Sequence, residues 1–251
     1  MFKINIVDFL SYPIYSGRLL PESIFDGKII INTINPHSYC IAKKDALFRQ
    51  ILQKSDFLLP DGIGIVFAIR YLTGRTILRK TGSDLHKEIL MRMNASEGTV
   101  FYLGSCSDSL FKIHKRVMKE HKNIIVGTFS PCYDEHFSDE ENELIISTIN
   151  EFKPDVLFVG MTAPKQEKWV NQHKNSINAK VICSVGAVFD FYSGSIKRPE
   201  MFWQRNNLEW FRRFMQEPKR LWHRNFISTP RFLWNIFLAK FWNRGQININ
   251  K

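Results

Sequence analysis

Short β-branched and apolar runs recur along the first 196 positions, and between them apolar residues fall three or four apart. The runs at 28–34, 57–59, 99–103, 124–128, 155–159 and 180–184 predict strands. The spacing at 84–93 places Leu85, Ile89 and Leu90 on one helical face. Residues 108–121 do the same with Leu110, Ile113, Val117 and Met118, and 139–152 with Leu144, Ile145 and Ile149. Ser107 and Ser138 stand where helix N-caps are expected, Ser138 with Glu141 three residues on as a capping box. Alternating strands and helices predict an α/β fold, a Rossmann-like, mostly parallel sheet with helices on both faces. The segments KINIVDF and GKIIINTIN are expected to pair as an additional antiparallel unit.

Past residue 194 the pattern changes. Residues 202–215 have helical spacing, with Trp203, Trp210, Phe211 and Phe214 at the apolar positions. Pro218 suits the first turn of a further helix, on which Arg220 and Arg224 share a face. Residues 231–242 hold nine apolar residues interrupted by Asn235 and Lys240, which project to different sides. That is no clean amphipathic stripe and too short to span a bilayer, so interfacial insertion and self-association into a homo-oligomer both stay open.

Charge sharpens this division. The 251 residues carry +11 with His neutral, of which 197–251 carry +9 and the first 196 residues +2. Five of the six Trp lie in the same tail. The expected organisation is an α/β catalytic body over 1–194 and a basic, Trp-rich helical appendage over 195–251. Basic charge attracts phosphate, and Trp favours membrane–water interfaces, so the pair predicts a membrane surface and no nucleic acid as partner; a solvated basic helical bundle with Trp in its core is the other reading. The four Cys are scattered, without a C-x-x-C pair, which fits a reducing cytoplasm. No basic stretch precedes a long apolar run at the start of the chain, so no signal peptide is expected.

Ligands of such sheets bind beyond the carboxyl ends of the strands. The loops there carry Asn35–Pro36–His37, Pro60–Asp61–Gly62, Gly104–Ser105, Gly160 to Glu167, and Val185–Gly186. Glycines after strands and helix N-termini together predict a nucleotide or sugar-nucleotide pocket. The dinucleotide G-x-G-x-x-G and P-loop patterns are absent, as are H-E-x-x-H, D-x-D and G-x-S-x-G, so no metal and no cofactor is expected. Asp61 reads either as a helix N-cap or as a general base at the mouth of the pocket. Asp190 has a comparable placement, and Asp84 reads as first-turn capping.

The segments LLPDGIGIV (58–66), RKTGSDL (79–85), FYLGS (101–105), VGMTAPKQEKW (159–169), SVGAVFDFYSGSIKRPEMFWQ (184–204) and NLEWFRRFMQEPKRLWHRN (207–225) strongly resemble the WecG/TagA/CpsF glycosyltransferase family. The resemblance (glycosyltransferase family 26, with a fold termed GT-E) implies an inverting, metal-independent enzyme. It would move an N-acetylmannosamine-type or related hexose from a UDP-sugar to an undecaprenyl-diphosphate-linked saccharide. It implies surface-polysaccharide synthesis and a peripheral place on the inner face of the cytoplasmic membrane. By resemblance Asp61 is the catalytic base, Thr33 lies near the acceptor, and Gln166 helps place the reacting sugar. Gly104, Ser105, Gly160, Pro164, Glu167, Gly186 and Asp190 would join Gln166 in the UDP-sugar pocket. Arg213, Arg220 and Arg224 match the basic residues of the family's appendage, with His223 as the alternative to Arg224. Tyr133 falls near a pocket-side aromatic. A non-catalytic sugar-nucleotide-binding module of a polysaccharide assembly complex is the other reading.

Overall fold

The computed structural model describes residues 5–247 except 135, 198, 201 and 204–207; from residue 242 only the backbone is described. One sheet of eight strands organises the chain, in the order β1-β2-β4-β3-β8-β7-β5-β6. The strands are β1 (Ile6–Phe9), β2 (Tyr12–Tyr15), β3 (Ile29–Ile34), β4 (Phe57–Pro60), β5 (Thr99–Gly104), β6 (Ile125–Phe129), β7 (Val156–Gly160) and β8 (Val181–Ser184). All neighbours are parallel except β1 and β2.

The antiparallel unit differs from the sequence expectation. β1 folds back on Tyr12–Tyr15, not on GKIIINTIN, through a two-residue turn in which Leu10 and Ser11 both have positive φ. The IIINTI run instead fills β3, hydrogen-bonded between β4 and β8. Its apolar residues serve both faces: Ile31 joins one core and Ile34 the other, as a parallel strand covered on two sides requires.

Helices α1 (Pro36–Ala42), α2 (Ala46–Gln53), α3 (Ile63–Thr73), α6 (Asp139–Phe152) and α7 (Lys165–His173) cover one face. Helices α4 (Gly82–Ala95), α5 (Ser107–Glu120) and α8 (Val188–Tyr192) cover the other. The chain therefore leaves β3 toward one face and the adjacent β8 toward the opposite one. That divergence opens a crevice at their carboxyl ends.

Two capping expectations change in detail. Ser138 caps α6 by accepting from Glu141 N at 3.2 Å, but the Glu141 carboxylate turns to Cys132 N at 2.7 Å and does not close a capping box. Cys106, not Ser107, is the N-cap residue of α5, since its backbone is extended and its carbonyl accepts from Leu110 N. Asp84 is a capping residue: it forms a reciprocal box with Thr81 at the start of α4.

The tail folds as α9 (Glu209–Gln216), α10 (Pro218–Trp222), a π-helical turn (His223–Ser228) and α11 (Thr229–Ile247). The helix expected over 202–215 runs through 204–207, which lie outside the described residues, as does the side chain of Trp242. Helix α11 explains its lack of periodicity. Phe232, 0% exposed, and Ile236 pack into the same core as Phe9 of β1, Tyr39 of α1 and Ile65 of α3. Leu233, Trp234, Phe237, Leu238 and Phe241 form a second apolar stripe that is exposed. Among the described residues no helix is long and apolar enough to cross a membrane.

Candidate active site

Asp61 sits at the carboxyl end of β4, where its N–H donates to Ile34 O of β3 at 2.9 Å. It does not cap α3. Gly62, at φ +96°, is the N-cap residue, and no side chain caps that terminus. Only glycine adopts this backbone freely, so Gly62 lets the chain turn into α3 while the Asp61 carboxylate stays in the crevice. Burial pushes that carboxyl above the usual carboxylate range. Arg224, then Arg213, pull it down; Glu209 pushes it up and Arg79 opposes. Thr33 lies on the neighbouring strand, one residue before Ile34, in register with Leu59.

The guanidinium groups come from the tail. Arg213 of α9 lies over the Phe191 ring at 4.7 Å, and burial foremost, then Arg224, lower its pKa. Its Nε has no hydrogen-bond partner among the described residues. Arg224 projects from the π-helical turn, a widened geometry that redirects side chains within a helix. It acts on Asp61 more strongly than any other charge, whereas His223 packs edge to face on His37 at 5.9 Å. Of the two alternatives, Arg224 acts electrostatically on Asp61, whereas His223 packs against His37 of α1.

Arg220 is elsewhere. It binds Glu217 at 2.6 Å and lies 3.9 Å from Asp190 of α8. Burial raises the Asp190 carboxyl, and Arg220 offsets part of that rise. Asp61 with Arg224 and Asp190 with Arg220 thus form two poles, with Arg213 acting on both carboxylates.

Gly104, Ser105, Gly160 and Gly186 mark the ends of β5, β7 and β8. A Cβ on Gly104, at φ +114°, would stand 2.5 Å from Gly160 O, and one on Gly160 would meet the Phe189 ring at 2.5 Å. Both positions exclude a side chain. Pro164 is the N-cap residue of α7. Gln166 is 3% exposed; its Oε1 accepts from Met161 N at 3.2 Å and Gly186 N at 3.1 Å, and its Nε2 donates to Glu167 Oε1 at 2.8 Å. Glu167, expected in the pocket, lines instead a separate small cavity between α2 and α7. Tyr133 stands fully exposed on the loop before α6, packed on no pocket wall.

Three contacts at the site were not anticipated. Arg79 pairs with Glu209 at 3.3 Å, tying the segment before α4 to α9. His37 Nδ1 lies 2.8 Å from Ser228 Oγ, and Cys40 Sγ donates to Ser228 O at 3.3 Å, docking the π-helical turn on α1. Asn35–Pro36–His37 was visible as an unusual loop, but nothing in the sequence named its partner. Among the described residues no group of three His, Cys, Asp or Glu is placed to hold a metal ion.

Residues 16–246 match the glycosyl transferase WecG/TagA/CpsF family. The chain is 31% identical over 218 residues to an N-acetylglucosaminyldiphosphoundecaprenol N-acetyl-beta-D-mannosaminyltransferase of Bacillus subtilis (strain 168), covering 86% of this chain and 80% of that protein. It is 28% identical over 195 residues to a protein of the same name from Staphylococcus aureus (strain MW2), covering 78% and 75%. With the counterpart from Staphylococcus aureus (strain MRSA252) the identity is 29% over the same length. A match over nearly the whole chain fixes the assignment: the chain belongs to the WecG/TagA/CpsF family of glycosyltransferases.

Proposed function

We propose that this protein transfers an N-acetylmannosamine-type hexose from a UDP-sugar to an undecaprenyl-diphosphate-linked saccharide, with inversion and without a metal. The names of the relatives support the sugar and the lipid-linked acceptor. The observation that carries the mechanism is the place of Asp61, a buried carboxylate at the carboxyl end of β4 on which Arg224 and Arg213 act electrostatically.

In this reading the Asp61 carboxylate accepts the proton of the acceptor hydroxyl. The hydroxyl oxygen then attacks the anomeric carbon from the face opposite the nucleotide. The bond from that carbon to the UDP oxygen breaks, and UDP leaves with an added negative charge. Burial makes Asp61 a stronger base than an exposed aspartate, which suits proton abstraction near neutral pH. Arg213 and Arg224 oppose the charge growing on the leaving diphosphate. Gly104, Ser105, Gly160, Pro164, Gly186 and Asp190 wall the donor side, and Thr33 the acceptor side.

The appendage has a second part in this reading, at the inner face of the cytoplasmic membrane. The exposed stripe Leu233–Trp234–Phe237–Leu238–Phe241 inserts its apolar rings at the interface, and the basic excess of the tail draws it to anionic headgroups. A lipid-linked acceptor then reaches the crevice without leaving the bilayer.

The test is a donor screen. Full-length protein is given a panel of UDP-sugars and a short-chain GlcNAc-diphospholipid, with products read by mass spectrometry. One added N-acetylhexosamine with β linkage is expected from UDP-N-acetylmannosamine. Absence of product with every donor counts against the reading.

A further inference from the structure

Beneath the crevice lies a cluster of polar groups that the proposed chemistry does not use. Asn32 of β3 and Ser184 of β8 are adjacent across the sheet, since β3 and β8 pair Ile31 with Cys183 and run parallel. Both are buried, and Glu167 of α7, 2% exposed, lies with Asn32 along one small cavity together with Ser55, Lys54 and Lys174. Among the described residues Asn32 Oδ1, Ser184 Oγ and Glu167 Oε2 have no hydrogen-bond partner. Three unsatisfied polar atoms in one core region are costly unless their arrangement serves something.

The bonds that are made show what it serves. Asn32 Nδ2 donates to Ser55 Oγ at 2.8 Å, which anchors the Asn32 amide. The other Glu167 oxygen, Oε1, accepts from Gln166 Nε2 at 2.8 Å. That contact settles which way the Gln166 amide faces. With its NH2 held by Glu167, the Gln166 carbonyl is turned to accept from Met161 N and Gly186 N. Met161 belongs to the loop after β7 and Gly186 to the loop after β8, so one amide joins two walls of the crevice. A flipped amide would set an NH2 against two N–H donors.

We infer that Glu167 is a positioning residue: from inside the core it fixes the Gln166 amide and thereby the spacing of the β7 and β8 loops on the donor side of the crevice. It touches neither substrate nor reacting atoms. Burial pushes its carboxyl up to about 7, against the opposing effect of the Gln166 hydrogen bond, so a protonated Glu167 is accessible near neutrality. In that form Oε2 is a donor, and Asn32, whose carbonyl has no partner among the described residues, lines the same cavity as Glu167. The link to donor binding rests on the proposed transferase reading; the link to the loops does not.

The experiment compares wild type, Glu167→Met and Glu167→Gln, using amide hydrogen exchange over the peptides containing Met161 and Gly186, and donor KM and kcat. Glutamine keeps a carbonyl for Gln166 Nε2 and offers an NH2 toward Asn32; methionine keeps only the volume. Glu167→Met should speed exchange of both amides about tenfold and raise donor KM roughly 2–10-fold with a smaller effect on kcat, the effect of one lost hydrogen bond. Glu167→Gln should recover most of both. If Glu167→Met does not fold, Glu167→Asp, which withdraws the carboxyl by one methylene, carries the same comparison. Unchanged exchange in the folded Met or Asp variant, or a Gln variant as impaired as Met, overturns the inference. Exchange that responds while no UDP-sugar is turned over by wild type would count against the transferase reading alone.

Discussion

His37 Nδ1 lies 2.8 Å from Ser228 Oγ, and this bond seats the π-helical turn carrying Arg224 on α1. His37 occupies a crowded place. Burial, then Arg224 and His223, lower its pKa to about 4. In the unfolded chain the imidazole titrates near 6.5. The folded state therefore resists a proton that the unfolded state accepts. Stability is intact above about 6.5 and is lost as pH falls toward 4. Protonation would add a cation beside Arg224 and His223, so the tail should loosen in this window. Tryptophan fluorescence follows it, because five of six Trp lie in the tail. His37→Gln, which cannot take the proton, should flatten the step; an unchanged acid transition would dissociate His37 from it.

The seat of α11 gives a stability prediction. Phe232 is wholly buried and meets Tyr39 edge to face at 5.2 Å. Phe232→Ala should cost about 3–5 kcal/mol in denaturant unfolding, the loss typical of a large core aromatic. Phe237→Ala, on the exposed stripe of the same helix, should lie within about 0.5 kcal/mol of wild type. Equal costs would mean that the two faces are assigned wrongly.

Polar replacement of Trp234, Phe237, Leu238 and Phe241 together should release the protein from anionic liposomes and spare turnover of a water-soluble acceptor. Each cation near an anionic surface adds on the order of 1 kcal/mol, so high salt should also weaken sedimentation. Binding indifferent to both changes would remove the membrane role.

Transfer should survive excess EDTA, because Arg213 and Arg224 supply the charge that opposes the leaving diphosphate in this account. Activity lost in chelator and restored by Mg²⁺ or Mn²⁺ would require a different way of neutralising it.

These features were unequally legible in the sequence. Strands β3 to β8 were, because a short apolar or β-branched run marks each of them. Asp61 was visible because Pro60 and Gly62 bracket it at a strand end; that it does not cap α3 needed the left-handed Gly62. The pairing of β1 was missed because the turn at Leu10–Ser11 contains neither Gly nor Asn. Helix α11 resisted a periodicity argument because it is apolar on two sides, one set into the core and one exposed. The burial of Glu167 depends on α2 folding over α7, and the His37–Ser228 contact joins residues 191 positions apart. Local spacing encodes neither.

The central claim is that Asp61 removes the acceptor proton, and Asp61→Asn tests it most directly. Because burial raises the Asp61 carboxyl, its ionisation costs folded-state stability above the ordinary aspartate range near 3.9, and that cost falls as pH drops. The neutral amide should thus leave the protein at least as stable as wild type at neutral pH. The wild-type rate should fall on the acid side at a pH above that range. The measurement is transfer from UDP-N-acetylmannosamine to a soluble GlcNAc-diphospholipid by folded Asp61→Asn, beside its affinity for UDP. The account predicts retained UDP binding and turnover lowered about 10²–10⁴-fold. Turnover near the wild-type rate in a folded, UDP-binding Asp61→Asn protein would contradict it.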